Sequence, residues 1–381
     1  ALIRFLSPDP PRVVQMSTGA PDGAYHQFAL KYQRVLRDNG ITLELQPSSG
    51  SVENLQRLQQ GRVAVGLVQG GLGPVVQDPL ADNADTPLRT LATVSHEPLW
   101  VFSHTLNLDG GLGALKGRRV AVGAPGSGNR QLAMQLLATY GLVDAQGRWP
   151  AGTELLDLGG VAAANALQAQ QIDAVILVAA AQAPAVARLL DNPNIRLAAL
   201  DHVEGLARRF PFFQPVVLRR GAIDPARDIP PRDIPLLSTT ANLVVQDSLH
   251  PALGYLLLEA ARATHAGPGL FHRQGEFPSP VGTDFPLAEE ADRYFKNGRP
   301  FLQRYLPFWV ANFVQRLVLT LLPLVAILVP VFKFLPALLH WKERNRLFRR
   351  YGELKFLERD IDTRTLSDDE KAQALLRLDA I

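Results

Sequence analysis

From Arg12 onward, short apolar runs alternate with stretches whose apolar residues recur every three or four positions. The runs Arg12–Ser17, Thr42–Gln46, Val63–Val68, Thr90–Val94, Trp100–Ser103 and Arg119–Val122 predict strands, because they are apolar and bounded by turn-forming residues. Between them Tyr25, Phe28, Tyr32, Val35 and Leu36 share one helical face. Val52, Leu55 and Leu58 share another, as do Leu132, Leu136, Leu137 and Tyr140. The alternation continues through Leu155–Leu158, a helix over about Val161–Gln170, the strand Ala174–Val178 and a helix around Ala185–Leu190. This order predicts an α/β protein with mostly parallel pairing. After Phe210 the pattern loosens, and Pro211, Pro215, Pro225, Pro230, Pro231 and Pro235 predict an extended connection, since proline lacks an N–H donor and disfavours helix before it. A strand at Leu243–Val245 and a helix over Pro251–His265 follow.

A second kind of pattern begins at Leu317. The stretch to Phe332 is almost wholly apolar, and with Phe334–Leu339 beyond Lys333 it reaches a length that can cross a bilayer, about 20 residues. It predicts one transmembrane helix within 308–340, bracketed by Trp309 and Trp341 as interfacial anchors. Lys342, Arg344, Arg346, Arg349 and Arg350 follow closely, so the positive-inside bias places the C-terminus in the cytoplasm. The charged, helix-prone tail 341–381 reads as a solvated cytoplasmic helical segment.

Composition narrows the function classes. The 381 residues are 47% hydrophobic, enough for two domains with real cores, and Lys plus Arg number 39 against 36 Asp plus Glu. A formal charge of +3, spread thinly, gives no footprint for nucleic acid. With 0 cysteines there is no disulfide, thiolate metal site or cysteine nucleophile. The chain begins at Ala1, and a signal peptide or membrane anchor is expected before it. Enzyme signatures are missing: His96-Glu97 is followed by Pro98 rather than a zincin helix, and no Gly-x-Ser-x-Gly elbow occurs. The reading is of a non-enzyme with no metal and no cofactor.

The candidate chemistry lies in three Gly/Ser-rich loops, each between a strand-like and a helix-like run: Ser17–Tyr25, Ser48–Leu55 and Gly123–Arg130. Glycine lets the backbone approach a ligand, and a helix starting just after it directs free N–H groups at what is bound. Each loop taken singly is also explained as an ordinary strand-to-helix turn, with Ser51 the N-cap of a helix beginning at Val52. The third loop follows a strand and leads into a helix at about Asn129, the setting of an anion nest, but it matches neither the dinucleotide fingerprint nor the P-loop. Arg130 is positioned either to add a positive charge there or to sit on the helix surface.

Together these segments resemble the solute receptors of tripartite ATP-independent periplasmic (TRAP) transporters, in the TAXI group. The resemblance rests on Ser17-Thr18-Gly19 with Gly23 and Tyr25, on Ser49-Gly50-Ser51-Val52-Glu53-Asn54-Leu55, on the strand ending at Gln69, on Glu97-Pro98, on Leu115–Gly123 leading to Gly126-Ser127-Gly128, and on Asp173-Ala174, covering about Arg12–His265. It implies a type II periplasmic-binding-protein fold: two α/β lobes joined by two crossing strands near Trp100–Ser103 and Gln214–Leu243, with a hinge and a ligand between them. The implied boundaries are 12–99 for the first part of lobe I, 100–213 for lobe II, 214–304 for the return to lobe I and the connection, then the span and the tail. By the same resemblance the ligand-binding residues are Ser17, Thr18, Gly19, Tyr25, Ser49, Ser51, Gln69, Gly126, Ser127 and Asn129. Asn129 stands where threonine is usual, and Val178–Pro184 lacks the usual glycine and hydroxyls. The implied ligand is a small anionic or zwitterionic solute, an organic acid or amino acid that is glutamate-like in several members. The implied partner is a TRAP-type permease, with the binding domain periplasmic and tethered to a bacterial inner membrane. A ligand sensor or scaffold relaying closure to the tail is the competing reading, and an enzyme on the same fold the third.

Overall fold

The computed structural model describes residues 10–73 and 87–363 apart from 145, 147 and 151, with single positions beyond 363. The extreme N-terminus and most of the tail after Thr363 lie outside the described residues. Two compact units divide the chain, one ending at Trp309 and the other beginning at Val310.

The larger unit opens with β1 (Val13–Gly19), α1 (Ala24–Asp38), β2 (Thr42–Pro47), α2 (Ser51–Gln59) and β3 (Val65–Gln69). The long β4 (Leu88–Ser103) leads to β5 (Arg119–Ala121), α3 (Gly128–Thr139), β6 (Glu154–Leu156), α4 (Gly160–Gln168), β7 (Ala174–Val178), α5 (Pro184–Leu190) and the short β8 (Arg196–Leu197). Next come α6 (Val203–Arg209), β9 (Gln214–Leu218), β10 (Ile234–Gln246), α7 (Pro251–His265), α8 (Glu289–Asn297) and α9 (Phe301–Tyr305). The strands run β2-β1-β3-β10-β4-β7-β5-β6, with β8 against β4 and β9 against β10. This is the α/β, type II periplasmic-binding-protein arrangement.

Two strands join the halves. Leu88 to Pro98 of β4 pairs antiparallel with β10, whereas Leu99 to Ser103 pairs antiparallel with β7. In the reverse sense, Ile234 to Ser238 of β10 pairs with β9, and Ala241 to Val245 pairs with β3. The sequence predicts two separate strands where β4 is one strand of 16 residues. Ser95, His96, Glu97 and Pro98 break the apolar pattern, but β10 supplies partners for them in the registers Ser238↔Pro98, Thr239↔Glu97 and Thr240↔His96. Tertiary pairing overrides local propensity here, and the passage from one half to the other falls at Glu97–Leu99.

The core explains why these elements hold. Tyr32 and Leu36 of α1 are fully buried, and each large apolar side chain so placed contributes about 1.5–3 kcal/mol. The Tyr32 hydroxyl lies 2.9 Å from His265 Nε2 and joins α1 to α7. Burial, with Lys31 and His272 adding to it, pushes the His265 pKa down to about 3, so the ring is neutral. Trp100, also fully buried, stacks on Phe102 and donates from Nε1 to the Ala179 carbonyl at 2.9 Å, fixing the chain just beyond β7.

In the other unit α10 (Phe308–Thr363) is assigned as one helix of 56 residues, through the positions of Pro323, Pro330 and Pro336. Within it Leu324–Lys342 is long and apolar enough to cross a membrane, with mean hydropathy 1.9 and none of its length buried.

Candidate functional site

The three loops singled out in the sequence become the entries to α1, α2 and α3. No side chain caps α1 or α2, whose N-cap residues are Gly23 and Gly50. Of these three helices α3 alone is capped by a side chain, Ser127 Oγ accepting from Arg130 N at 3.2 Å. Ser51 is not the N-cap the sequence predicts: it lies in the first turn of α2, and its Oγ accepts from Gln69 N at 3.0 Å. The first N–H groups of a helix have no backbone acceptor within it; Arg130 N is taken by Ser127 and Glu53 N by Gly126, and the remaining first-turn N–H groups and the positive ends of three helix dipoles stand at these entries.

Glycine is required where the loops meet. Gly50 has φ +139°, and a Cβ there would stand 3.1 Å from Ser127 Cα; at Gly128 a Cβ would meet Gln69 Oε1 at 2.7 Å. The second and third loops also bond directly, Glu53 N donating to the Gly126 carbonyl at 3.3 Å.

All three entries open into one cleft. Its first cavity, about 500 Å³ including the open mouth, takes in Ala24 and Tyr25 of α1, Gly50 and Ser51 at α2, and Gly128 and Asn129 of α3. A second cavity of about 800 Å³ shares Ala20, Gly23, Ala24, Ser127, Asn129 and Val178 with the first and extends to Gly159, Gly160 and Ala183.

Of the residues expected in the site, Thr18, Gly19, Tyr25, Ser51, Gln69, Ser127 and Asn129 line the first cavity, and Ser49 lines the second. Ser17 and Gly126 line neither. Ser17 Oγ donates to Asn54 Oδ1 at 2.7 Å and accepts from Arg57, while Gly126 shapes its turn with φ +79°. Several lining side chains are already engaged. Asn129 Nδ2 donates to the Val122 and Ile176 carbonyls at 2.8 and 3.0 Å, and its Oδ1 accepts from Val178 N, so the amide ties α3 to the ends of β5 and β7. Thr18 Oγ1 is 3.0 Å from His26 Nδ1, and Ser49 is bonded to Glu53 through both N and Oγ. Arg130 turns to Asp157, and among the described residues no Lys or Arg lines either cavity.

Two buried polar side chains face the first cavity with capacity to spare. Gln69, 3% exposed, has an Nε2 without a hydrogen-bond partner. Glu97, also 3% exposed, has the Tyr25 hydroxyl at 2.8 Å from its Oε2. Burial raises the Glu97 pKa from 4.5 to about 8 despite that hydrogen bond, and burial followed by the charge of Glu97 raises Tyr25 well above the usual phenol range. Glu97 was not among the expected site residues. The signal for it in the sequence is an acidic side chain in the short polar break between two apolar strand-like runs. Val178 and Ala179, whose stretch departs from the usual pattern, also line the cleft.

The model of the NMT1-like family matches residues 16–296 of the chain. None of the curated proteins compared with it matches. Among solved structures, a protein of Bordetella bronchiseptica RB50 aligns at 16% identity over 76% of this chain and 99% of its own, with TM-score 0.47. The alkanesulfonate-binding protein SsuA of Xanthomonas axonopodis pv. citri, bound to MOPS, aligns at 16% identity over 68% of this chain and 74% of its own, with TM-score 0.42. The amino acid ABC transporter substrate-binding protein AbpA of Streptococcus pneumoniae, bound to L-arginine, aligns at 14% identity over 66% and 88%, with TM-score 0.39.

Proposed function

The chain belongs to the NMT1-like family, and from that premise we propose that it is a membrane-tethered periplasmic receptor that binds a small carboxylate-bearing solute between its two lobes. The observation that carries this reading is the convergence of three helix N-termini on one cleft with no Lys or Arg among the described residues of its walls. Each N-terminus favours an anion by about 0.3–1 kcal/mol when exposed and up to about 2 kcal/mol when partly buried. Three together, with direct N–H donation, hold a carboxylate without an arginine. The solute class is an organic acid or an amino acid, of which the glutamate-like ligand implied by the resemblance is one member. A TRAP-type permease is the recipient, and the helix over Leu324–Lys342 is the anchor in a bacterial inner membrane. The lobes take 12–99, 100–213 and the return 214–304, and closure turns on the two strands that cross between them.

Isothermal titration of the full chain in detergent against carboxylic acids and amino acids tests this reading. Saturable one-site binding of at least one carboxylate is expected, and silence across the panel would refute it. A second reading, a sensor that relays closure to the cytoplasm, draws on α10, which continues past Lys342 as helix to Thr363. Capture of a cytoplasmic protein by the tail in a solute-dependent manner supports the sensor. Loss of solute uptake on deletion of the chain supports the receptor.

A further inference from the structure

The two cavities that make up the cleft differ in chemistry. At the first end lie the three helix N-termini, the spare Gln69 Nε2 and one carboxyl, Glu97. A solute carboxylate takes the backbone donors and the Gln69 amide. That leaves Glu97, which is an acceptor when ionised and lies deep in the same end beside Tyr25. An ionised carboxylate this buried needs a cation in contact, and the described residues of the cavity walls supply none. A solute cation would fill that place.

The second end is lined by Leu177, Val178, Ala179, Ala183 and Ala185 with the glycines of three loops, Gly23, Gly123 and Gly159-Gly160. The charged side chain that lines it is Asp22, whose Oδ2 accepts from Val161 N at 3.2 Å at the start of α4. The hydroxyls of Ser49 and Ser127 there already donate to Glu53 and the Ala124 carbonyl, and the Asn129 amide to Val122 and Ile176. A second carboxylate on the solute would face Asp22 and an apolar wall whose donor side chains are engaged; an alkyl group would be buried favourably there.

From this division, and resting on the solute-binding reading above, we infer that the ligand is an α-amino acid with an uncharged aliphatic side chain. Its carboxylate lies at the entries to α1, α2 and α3, its ammonium on Glu97, and its side chain against the alanine-rich wall after β7. Glutamate and other dicarboxylates are disfavoured by Asp22 and that wall. Acids without an amino group leave Glu97 unpaired.

Titration of the full chain in detergent with L-alanine, L-valine, L-leucine, L-glutamate and 4-methylpentanoate, which is leucine without its amino group, tests the inference. At least one of the three aliphatic amino acids is expected to bind no less than about 30-fold more tightly than 4-methylpentanoate, the loss typical of removing one partner of a buried charged pair. Glutamate is expected to be weaker than that amino acid by a similar factor. If glutamate or 4-methylpentanoate binds as tightly as the best aliphatic amino acid, the inference falls and the carboxylate-receptor reading stands. If none of the five saturates and the wider acid panel is also silent, both fall. If only acids lacking an amino group saturate, the inference alone falls. The Glu97→Gln variant adds an independent arm. It should narrow the gap between the preferred amino acid and its deaminated analogue to within about 5-fold, and an unchanged gap would overturn the role given to Glu97. If that variant does not fold, the ligand series decides by itself.

Discussion

Glu97 concentrates the physics of the site at the residue scale. Its pKa of about 8 in the folded chain, against an ordinary 4.5, means that between these values the folded state holds a proton the unfolded state has lost. The stabilising contribution is therefore fully present below pH 4.5, shrinks as pH rises, and is gone above about 8. The titratable group facing Glu97 is Tyr25 on α1, while Thr239 pairs with it on β10. Glu97→Gln should therefore flatten the decline of thermal stability across that window, with the variant above the wild type at pH 8.5 by an amount on the order of a few kcal/mol and near it at pH 4.5. Parallel melting curves check this, and identical slopes would show that Glu97 does not titrate there. Ligand binding gives the opposite sign. An ammonium requires ionised Glu97, so the affinity for the preferred amino acid should rise between pH 6 and 8, by at most about tenfold per unit, with proton release measurable from the buffer dependence of the binding heat. An affinity that falls over that range would mean that protonated Glu97 donates to the solute. The sequence displayed this residue in Glu97-Pro98 without disclosing its role, because what matters is burial at the passage between half-sheets, a property set by β10 some 140 positions away.

At the scale of elements, much was legible because the apolar periodicity of each segment agrees with the layer it joins. The strand reading Ala174–Val178 and the helix Pro251–His265 coincide with β7 and α7. What was not legible came from pairing across the chain: β4 as one strand, and Ser51 serving Gln69 N instead of capping α2. Likewise nothing local separates Ser17, spent on Asn54, from Thr18, which lines the cleft. The contact between the second and third loops makes its own prediction. Gly50→Ala puts a Cβ within 3.1 Å of the Ser127 backbone at φ +139°, a strained conformation for any residue with a side chain. The substitution should weaken solute binding by at least about tenfold while secondary structure by circular dichroism is unchanged, because it acts where the two loops approach. Wild-type affinity in this variant would show that the loops need not come together.

At the scale of the whole molecule, an α/β unit, proposed to bind the solute, and a long apolar helix lie on one chain. A helix of 19 residues spans about 28 Å at 1.5 Å per residue, close to the hydrocarbon thickness of a bilayer. Its exposed Ile327, Phe332 and Phe334 are the kind of surface that lipid covers. Because the chain has 0 cysteines, single introduced cysteines report topology cleanly. In intact spheroplasts an impermeant thiol reagent should modify Asn194→Cys and spare Ser367→Cys, and the reverse pattern would invert the assigned orientation. The central claim, that one solute carboxylate is held by the entries to three helices, is tested most directly by the amide resonances of the full chain labelled with ¹⁵N-glycine. On titration with a binding solute, Gly19, Gly23, Gly50 and Gly128 should shift together and saturate at one dissociation constant, with Gly141, past the far end of α3, still. Saturable binding that leaves those four amides unmoved would contradict the account.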